Sequence, residues 1–178
     1  MPGVLYSLFG FGLEAAVRTA TGPVGLLIIF IYSFLIAFAL PGVSEVVLFA
    51  PLRLGVPPWA ELTIIILVSG VGKAAGSILA FHIGQEAKEY GPIVRRIRRS
   101  RFDIVAWSES AVATLARRYG YAGLAAALCV PGFPDTLSIY AFAILERDYV
   151  RFAVATFVGS VGRLLITLAF LRGALALF

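Results

Sequence analysis

Leu40-Pro41-Gly42-Val43-Ser44-Glu45 and, ninety residues later, Val130-Pro131-Gly132-Phe133-Pro134-Asp135 are the stretches on which the reading of this chain turns. In each, a helix-breaking Pro-Gly is followed three residues on by a carboxylate. A cation then stands 28 residues beyond that carboxylate in both copies: Lys73 in Val71-Gly72-Lys73, and Arg163 in Val161-Gly162-Arg163. Trp59 and Tyr149 match at the same offset, each opening the apolar run that holds the cation. Identity between the copies is otherwise low. Over positions 40 to 81 only Pro41, Gly42, Val68, Val71 and Gly72 recur. The recurring features are those that hydrocarbon tolerates least. An internal repeat with Pro/Gly-interrupted segments and paired ionisable groups points to a transporter-type site at the repeat interface.

Composition places the chain in a membrane. Hydrophobic residues make up 60% of it and charged residues 14%, with a mean hydropathy of +0.94; soluble domains run at roughly 45–50% and about 25%. Gly22 to Pro41 carries no charge, and neither does Leu62 to Val71. Met1 to Gly12 lacks the basic and small-residue pattern of a cleaved signal. The one cysteine, Cys129, excludes an intramolecular disulfide and any CxxC motif, and reads as an apolar filler. The one histidine, His82, gives no histidine-based metal site or triad. No cofactor, no metal and no enzymatic activity are therefore expected.

The net charge of +5 is unevenly placed: eight of the fifteen basic residues fall between Lys88 and Arg118, opposed only by Glu89, Asp103 and Glu109. Beside apolar spans, such a cluster marks a cytoplasmic loop resting on anionic headgroups rather than a nucleic-acid site.

These features predict a single all-α integral membrane domain. Residues 1–21 form an amphipathic helix, with Glu14 and Arg18 four apart on one face. Residues 22–85 form repeat 1, 86–118 the basic cytoplasmic loop and 119–178 repeat 2. Each repeat is expected to hold a re-entrant helical hairpin followed by a transmembrane helix. Gly120 to Val130 is only eleven residues, about 16 Å of helix, roughly half of a 30 Å hydrocarbon core. Residues 22–40 are long enough to cross completely, and only the repeat argues that they re-enter. Hairpin plus crossing makes the two repeats inverted about the basic loop, and the protein a multi-pass one of the cell membrane.

Glu45 and Asp135 are then expected near the hairpin tips, at the N-termini of the returning half-helices, where capping alone would also suit a carboxylate. Lys73 and Arg163 lie fourteen residues beyond Trp59 and Tyr149, about 21 Å into their spans. A cation at such depth costs on the order of 3 kcal/mol, so it faces a partner or water. Arginine offers phosphate a bidentate fork, lysine a point charge, and the broken backbone at Pro41, Gly42, Pro131 and Gly132 offers free N–H donors. Two acids and two bases around a pseudo-two-fold axis give a polar midplane cavity. Its expected guest is an anionic headgroup whose tail stays among the membrane lipids.

The same residues resemble a known family. The order of amphipathic helix, apolar helix, Leu40-Pro41-Gly42-Val43-Ser44-Glu45, Gly72-Lys73, basic loop, Arg118-Tyr119-Gly120, Pro131-Gly132 and a last span is similar to the DedA superfamily. That family is also called the VTT or SNARE-associated domain family, and the likeness is closest to its short YqaA-like branch, over about Gly22 to Gly173. The resemblance implies lipid flipping or scrambling, of phospholipids or polyprenyl phosphates, with proton coupling. Glu45 matches the family's acidic residue after the first break, and Tyr119-Gly120 its aromatic-glycine pair. The chain departs at the second break. Many members carry arginines on both sides of that proline, where this chain has Leu128-Cys129-Val130 and Phe133-Pro134-Asp135. The expected function is a lipid flippase or scramblase, alone or as a homo-oligomer. The alternative is a secondary transporter of a small ion or solute.

The topology has a direct check. A cysteine placed at Ser100 is expected to resist a membrane-impermeant thiol reagent in intact cells and to react after permeabilisation. Labelling from outside reverses the orientation.

Overall fold

The computed structural model describes residues 12–39, 43–87, 118–132, 135–145 and 147–175, and among these all regular structure is helical. Pro41, Gly42, residues 1–11 and the basic loop as far as 117 lie outside the described residues. A short helix, α1 (12–19), leads into α2 (Gly22–Phe38), with Pro23 in the first turn, where its missing N–H leaves no bond unmade. Seventeen residues make α2 about 25 Å long, short of a 30 Å hydrocarbon core.

Val24 to Phe49 is not one straight helix. α2 stops at Phe38, and the chain turns back as a 3₁₀ helix, Ser44–Phe49. Rising about 2.0 Å per residue against 1.5 Å, a 3₁₀ helix covers depth with fewer residues. By Leu52 the chain is beside its starting point, where the Gly22 N–H donates to the Leu52 carbonyl. The result is a hairpin closed at its base.

The second half builds a similar hairpin. After α3 (Pro58–Ala87) and the undescribed loop, helix α4 (118–129) ends in a turn at Val130, Pro131 and Gly132. Gly132 has φ +76°, a left-handed conformation open to glycine at little cost. Helix α5 (Asp135–Leu145) runs back. The Asp148 N–H donates to the Tyr121 hydroxyl at 2.8 Å, which closes this base as well. The last helix is α6 (Tyr149–Leu175). Two segments, Pro58–Gln85 in α3 and Tyr149–Ala174 in α6, are long and apolar enough to cross a membrane.

Glycines set how closely these helices pack. α2 runs parallel to α3: a Cβ at Gly72 would lie 2.6 Å from the Phe30 carbonyl oxygen, and one at Gly76 would strike that of Phe34. α4 lies on α6 in the same way, for a Cβ at Gly159 would be 2.7 Å from the Ala125 oxygen. Small residues are what let backbones approach this far. α3 and α6 run antiparallel, with Phe81 near the end of one stacked 5.1 Å from Phe152 near the start of the other.

Two apolar clusters flank the middle of α3. One joins Ile29, Tyr32, Val47 and Ile65 to Leu164; the other joins Ala37, Ala80 and Phe81 to Leu124, Phe142 and Phe152. Each mixes residues from both halves of the chain. The free carbonyls at the end of α2 find partners across that divide. Thr136 Oγ1 donates to the Ile36 oxygen at 2.8 Å and the Tyr140 hydroxyl to the Phe38 oxygen at 2.9 Å. Within the first hairpin, the Tyr32 hydroxyl donates to the Val43 oxygen at 2.9 Å. Helix ends away from water need such partners.

Gly72→Ala is expected to lower the stability of the protein by about 1–3 kcal/mol, because its methyl group must push α2 from α3. Gly173→Ala, with nothing within 4 Å of the added carbon, is the neutral control. Thermal unfolding in detergent measures both; equal midpoints would contradict the close approach.

Candidate functional site: a buried carboxylate shared by two cations

Lys73 lies midway along α3 between the two apolar clusters, with hydroxyls one turn away on either side, Ser69 and Ser77. Ser69 and Ser33 share a buried hydrogen bond of 2.8 Å, and the Ser77 hydroxyl donates to Ala74 O within its own helix. On α6 a similar row runs Thr156, Ser160, Arg163, Thr167, spacings that keep all four on one helix face. Ser77 and Thr167 stand at the ninety-residue offset from each other, as Lys73 and Arg163 do.

Both cations converge on Asp135, the first residue of α5. Lys73 Nζ is 2.5 Å from Asp135 Oδ2, and Arg163 Nη2 is 2.7 Å from Asp135 Oδ1. All three side chains are buried, between 1% and 3% exposed. Arg163 also donates from Nε to the Leu128 carbonyl at 2.7 Å, at the C-terminal end of α4. A cation there meets the negative end of the helix dipole and an otherwise free carbonyl. A guanidinium is thus present at the second break, delivered from α6 rather than from the residues beside Pro131.

Glu45 sits differently. It is half-buried in the first turn of the 3₁₀ helix. Its Oε1 accepts from the Gly132 N–H at 3.5 Å, a long contact, and its Oε2 from the Ser44 hydroxyl at 3.3 Å. It is also close enough to act electrostatically on Lys73. The carboxylate after the first break therefore touches the turn of the second.

The structure brings Lys73, Arg163 and Asp135 into one cluster, sets Glu45 and Gly132 at its edge, and leaves Pro131 exposed in the turn. Pro41 and Gly42 lie outside the described residues. The expected arrangement of two acid–base pairs around an open cavity differs from what is seen. One carboxylate serves both cations, and the three side chains close on one another. Opposite charges held away from water collapse together unless something polar stands between them.

Several polar residues here escaped the sequence reading. Ser160 Oγ and Thr167 Oγ1, one turn on either side of Arg163, are buried with no hydrogen-bond partner among the described residues. Such groups are uncommon enough to need an explanation. The ninety-residue offset linking Thr167 to Ser77 was the available signal. Thr136 and Tyr140 gave none, because their partners are carbonyls some hundred residues away. Among the described residues no group of three His, Cys, Asp or Glu side chains is placed to hold a metal ion.

The chain is similar to known proteins at the level of its family: the model of the VTT domain matches residues 15–173. No curated protein and no solved structure matches it.

The shared carboxylate predicts an unequal set of stabilities. Asp135→Asn leaves two buried cations facing each other and is expected to cost about 3–5 kcal/mol. Lys73→Met leaves Asp135 and Arg163 as a balanced pair and is expected to cost well under half of that. Adding Lys73→Met to Asp135→Asn is expected to restore part of the loss. Additive effects in this double-mutant cycle, followed by unfolding in detergent, would mean that the two residues do not interact.

Proposed function

Because the chain belongs to the VTT domain family, a family of membrane proteins, we propose that it moves anionic lipid headgroups across the cell membrane past the cluster of Lys73, Asp135 and Arg163. The lipid is a phospholipid or a polyprenyl phosphate, and the role is transport rather than catalysis. Likeness to the YqaA-like branch rests on the sequence motifs alone.

The observation that carries this reading is the charge of the cluster. Two formal cations share one formal anion at spacings of 2.5 and 2.7 Å, deep among apolar side chains. Within these three side chains the surplus is positive, and Glu45 at the edge of the cluster balances it. Asp135 thus occupies the place that a phosphate oxygen would take, with the Arg163 Nη2 donor and the lysine point charge already aimed. The unpartnered hydroxyls of Ser160 and Thr167 on the same helix face supply further donors for an arriving headgroup.

In bilayer terms, each closed-base hairpin is a re-entrant element and each long helix a crossing. The two units are then inverted repeats with their turns meeting at the cluster. In this reading a headgroup displaces Asp135 from the two cations, and half-buried Glu45 at the edge of the cluster gates the exchange. The lipid tail stays in hydrocarbon throughout. A small anion using the same cluster is the second reading, favoured by how little of the three side chains is exposed.

Reconstituted vesicles carrying a fluorescent phospholipid separate these readings when lipid movement and anion flux are followed side by side. Wild-type protein is expected to move lipid. Lys73→Met is expected to abolish that movement at an unfolding midpoint close to wild type, and Glu45→Gln to remove its pH dependence. Undiminished lipid movement in Lys73→Met, or anion flux without lipid movement in the wild type, would overturn the proposal.

A further inference from the structure

A groove of about 370 Å³ runs along the outer surface between α4 and α6, away from the buried cluster. That volume lies in the range of about 300–1,000 Å³ usual for small-molecule sites. Its walls are Tyr121, Ala122 and Ala125 on one helix and Val154, Ala155 and Val158 on the other. The alanines make it concave, and the exposed Val154 and Val158 make its rim apolar.

An arginine stands in register with each wall at its start, and of the two Arg151 lines the groove. On α6 the spacing of Arg151, Val154, Ala155 and Val158 is that of one helix face. On α4 the same spacing joins Arg118 to Tyr121, Ala122 and Ala125. The two helices run parallel, so both arginines lie at the same end. Contacts at that end join the two helices: Tyr121 on α4 accepts the Asp148 N–H, and Asp148 pairs with Arg151 Nε at 3.2 Å. The Arg151 side chain remains 73% exposed in that pair. The Arg118 guanidinium lies 5.6 Å from the centre of the Tyr119 ring, and Arg147 is exposed nearby in sequence. Among the described residues Asp148 is the one acid set against these three arginines.

Among the described residues the first half of the chain has no such arrangement. Its positions at the ninety-residue offset are Ile28 and Glu61, and Glu61 accepts the backbone N–H groups of Arg53 and Leu54. The basic end therefore belongs to one side of the molecule, the side reached directly from the basic loop.

We propose that this groove holds one phosphate-bearing lipid of the leaflet facing that loop. Its acyl or prenyl chain lies along the alanine-lined trough and its phosphate sits between Arg118 and Arg151. A basic pocket between helices at the cytoplasmic interface is the kind of site that selects anionic headgroups. The proposal depends on the membrane setting of the chain and not on transport through the Lys73 cluster. It gives the protein a loading place for lipid on one leaflet only.

The test uses the full chain in nanodiscs of equal phosphatidylcholine and phosphatidylglycerol, with retained lipid counted by native mass spectrometry. Wild-type protein is expected to keep phosphatidylglycerol over phosphatidylcholine by about tenfold. Arg118→Gln with Arg151→Gln is expected to bring the ratio to parity. Ala122→Phe, which fills the trough from its exposed side, is expected to shed both lipids with the unfolding midpoint retained. Lys73→Met is expected to keep the wild-type preference, and a wild-type protein that moves no lipid while keeping the preference would remove the functional reading and leave the groove standing. Parity in the wild type, an unchanged preference in the double arginine variant, or lipid retained by Ala122→Phe would overturn the proposal. So would a change from dimer to monomer in Ala122→Phe, which would assign the groove to a second copy of the chain.

Discussion

One carboxylate organises the centre of this molecule. Asp135 holds Lys73 from α3 and Arg163 from α6, and Arg163 in turn holds the end of α4 through the Leu128 carbonyl. Three helices and the start of a fourth therefore meet through a single side chain. Apolar residues of similar volume would fasten the same helices at lower desolvation cost. Charges used here in their place support the proposed reading, in which the cluster accommodates another anion.

Glycine and hydroxyl residues complete that arrangement in different ways. Gly72, Gly76 and Gly159 bring the hairpins hard against the long helices, so that the polar groups of a broken backbone are covered by protein. Thr136 and Tyr140 then satisfy the carbonyls that the break in α2 leaves bare. Close packing and polar satisfaction are both needed. The first excludes lipid, and the second removes the need for water.

Much of this was legible in the sequence, for a physical reason. Prolines, carboxylates and cations are rare in apolar stretches, so their recurrence at a fixed offset stands out against a background that otherwise diverges. That located the break before Asp135, the two cations and the two long helices. Contact between particular side chains was not legible. The ninety-residue register treats Glu45 and Asp135 as equivalents, yet one lies at the edge of the site and the other at its centre. The returning limbs differ: Ser44–Phe49 is a six-residue 3₁₀ helix, while Asp135–Leu145 is an eleven-residue α-helix. A matched pattern fixes where charges fall along the chain, and the unmatched backbone then decides which of them meet. Hydroxyls such as Thr136 and Tyr140 are too common in apolar helices to announce a partner a hundred residues distant.

The dependence of the first hairpin on the second has a consequence for biogenesis. Lys73 emerges from the ribosome 62 residues before the aspartate that neutralises it, an interval of about 3–12 s at about 5–20 residues per second. The carbonyls of Ile36 and Phe38 wait about a hundred residues for Thr136 and Tyr140. Through that interval a nascent chain carries an uncompensated cation and bare backbone that lipid will not accept. Its first half must therefore be sheltered, by the insertion machinery or at the membrane surface, until the second half arrives. The two halves enter the bilayer as one assembly step, and truncation after α3 leaves a fragment suited to quality control rather than to insertion.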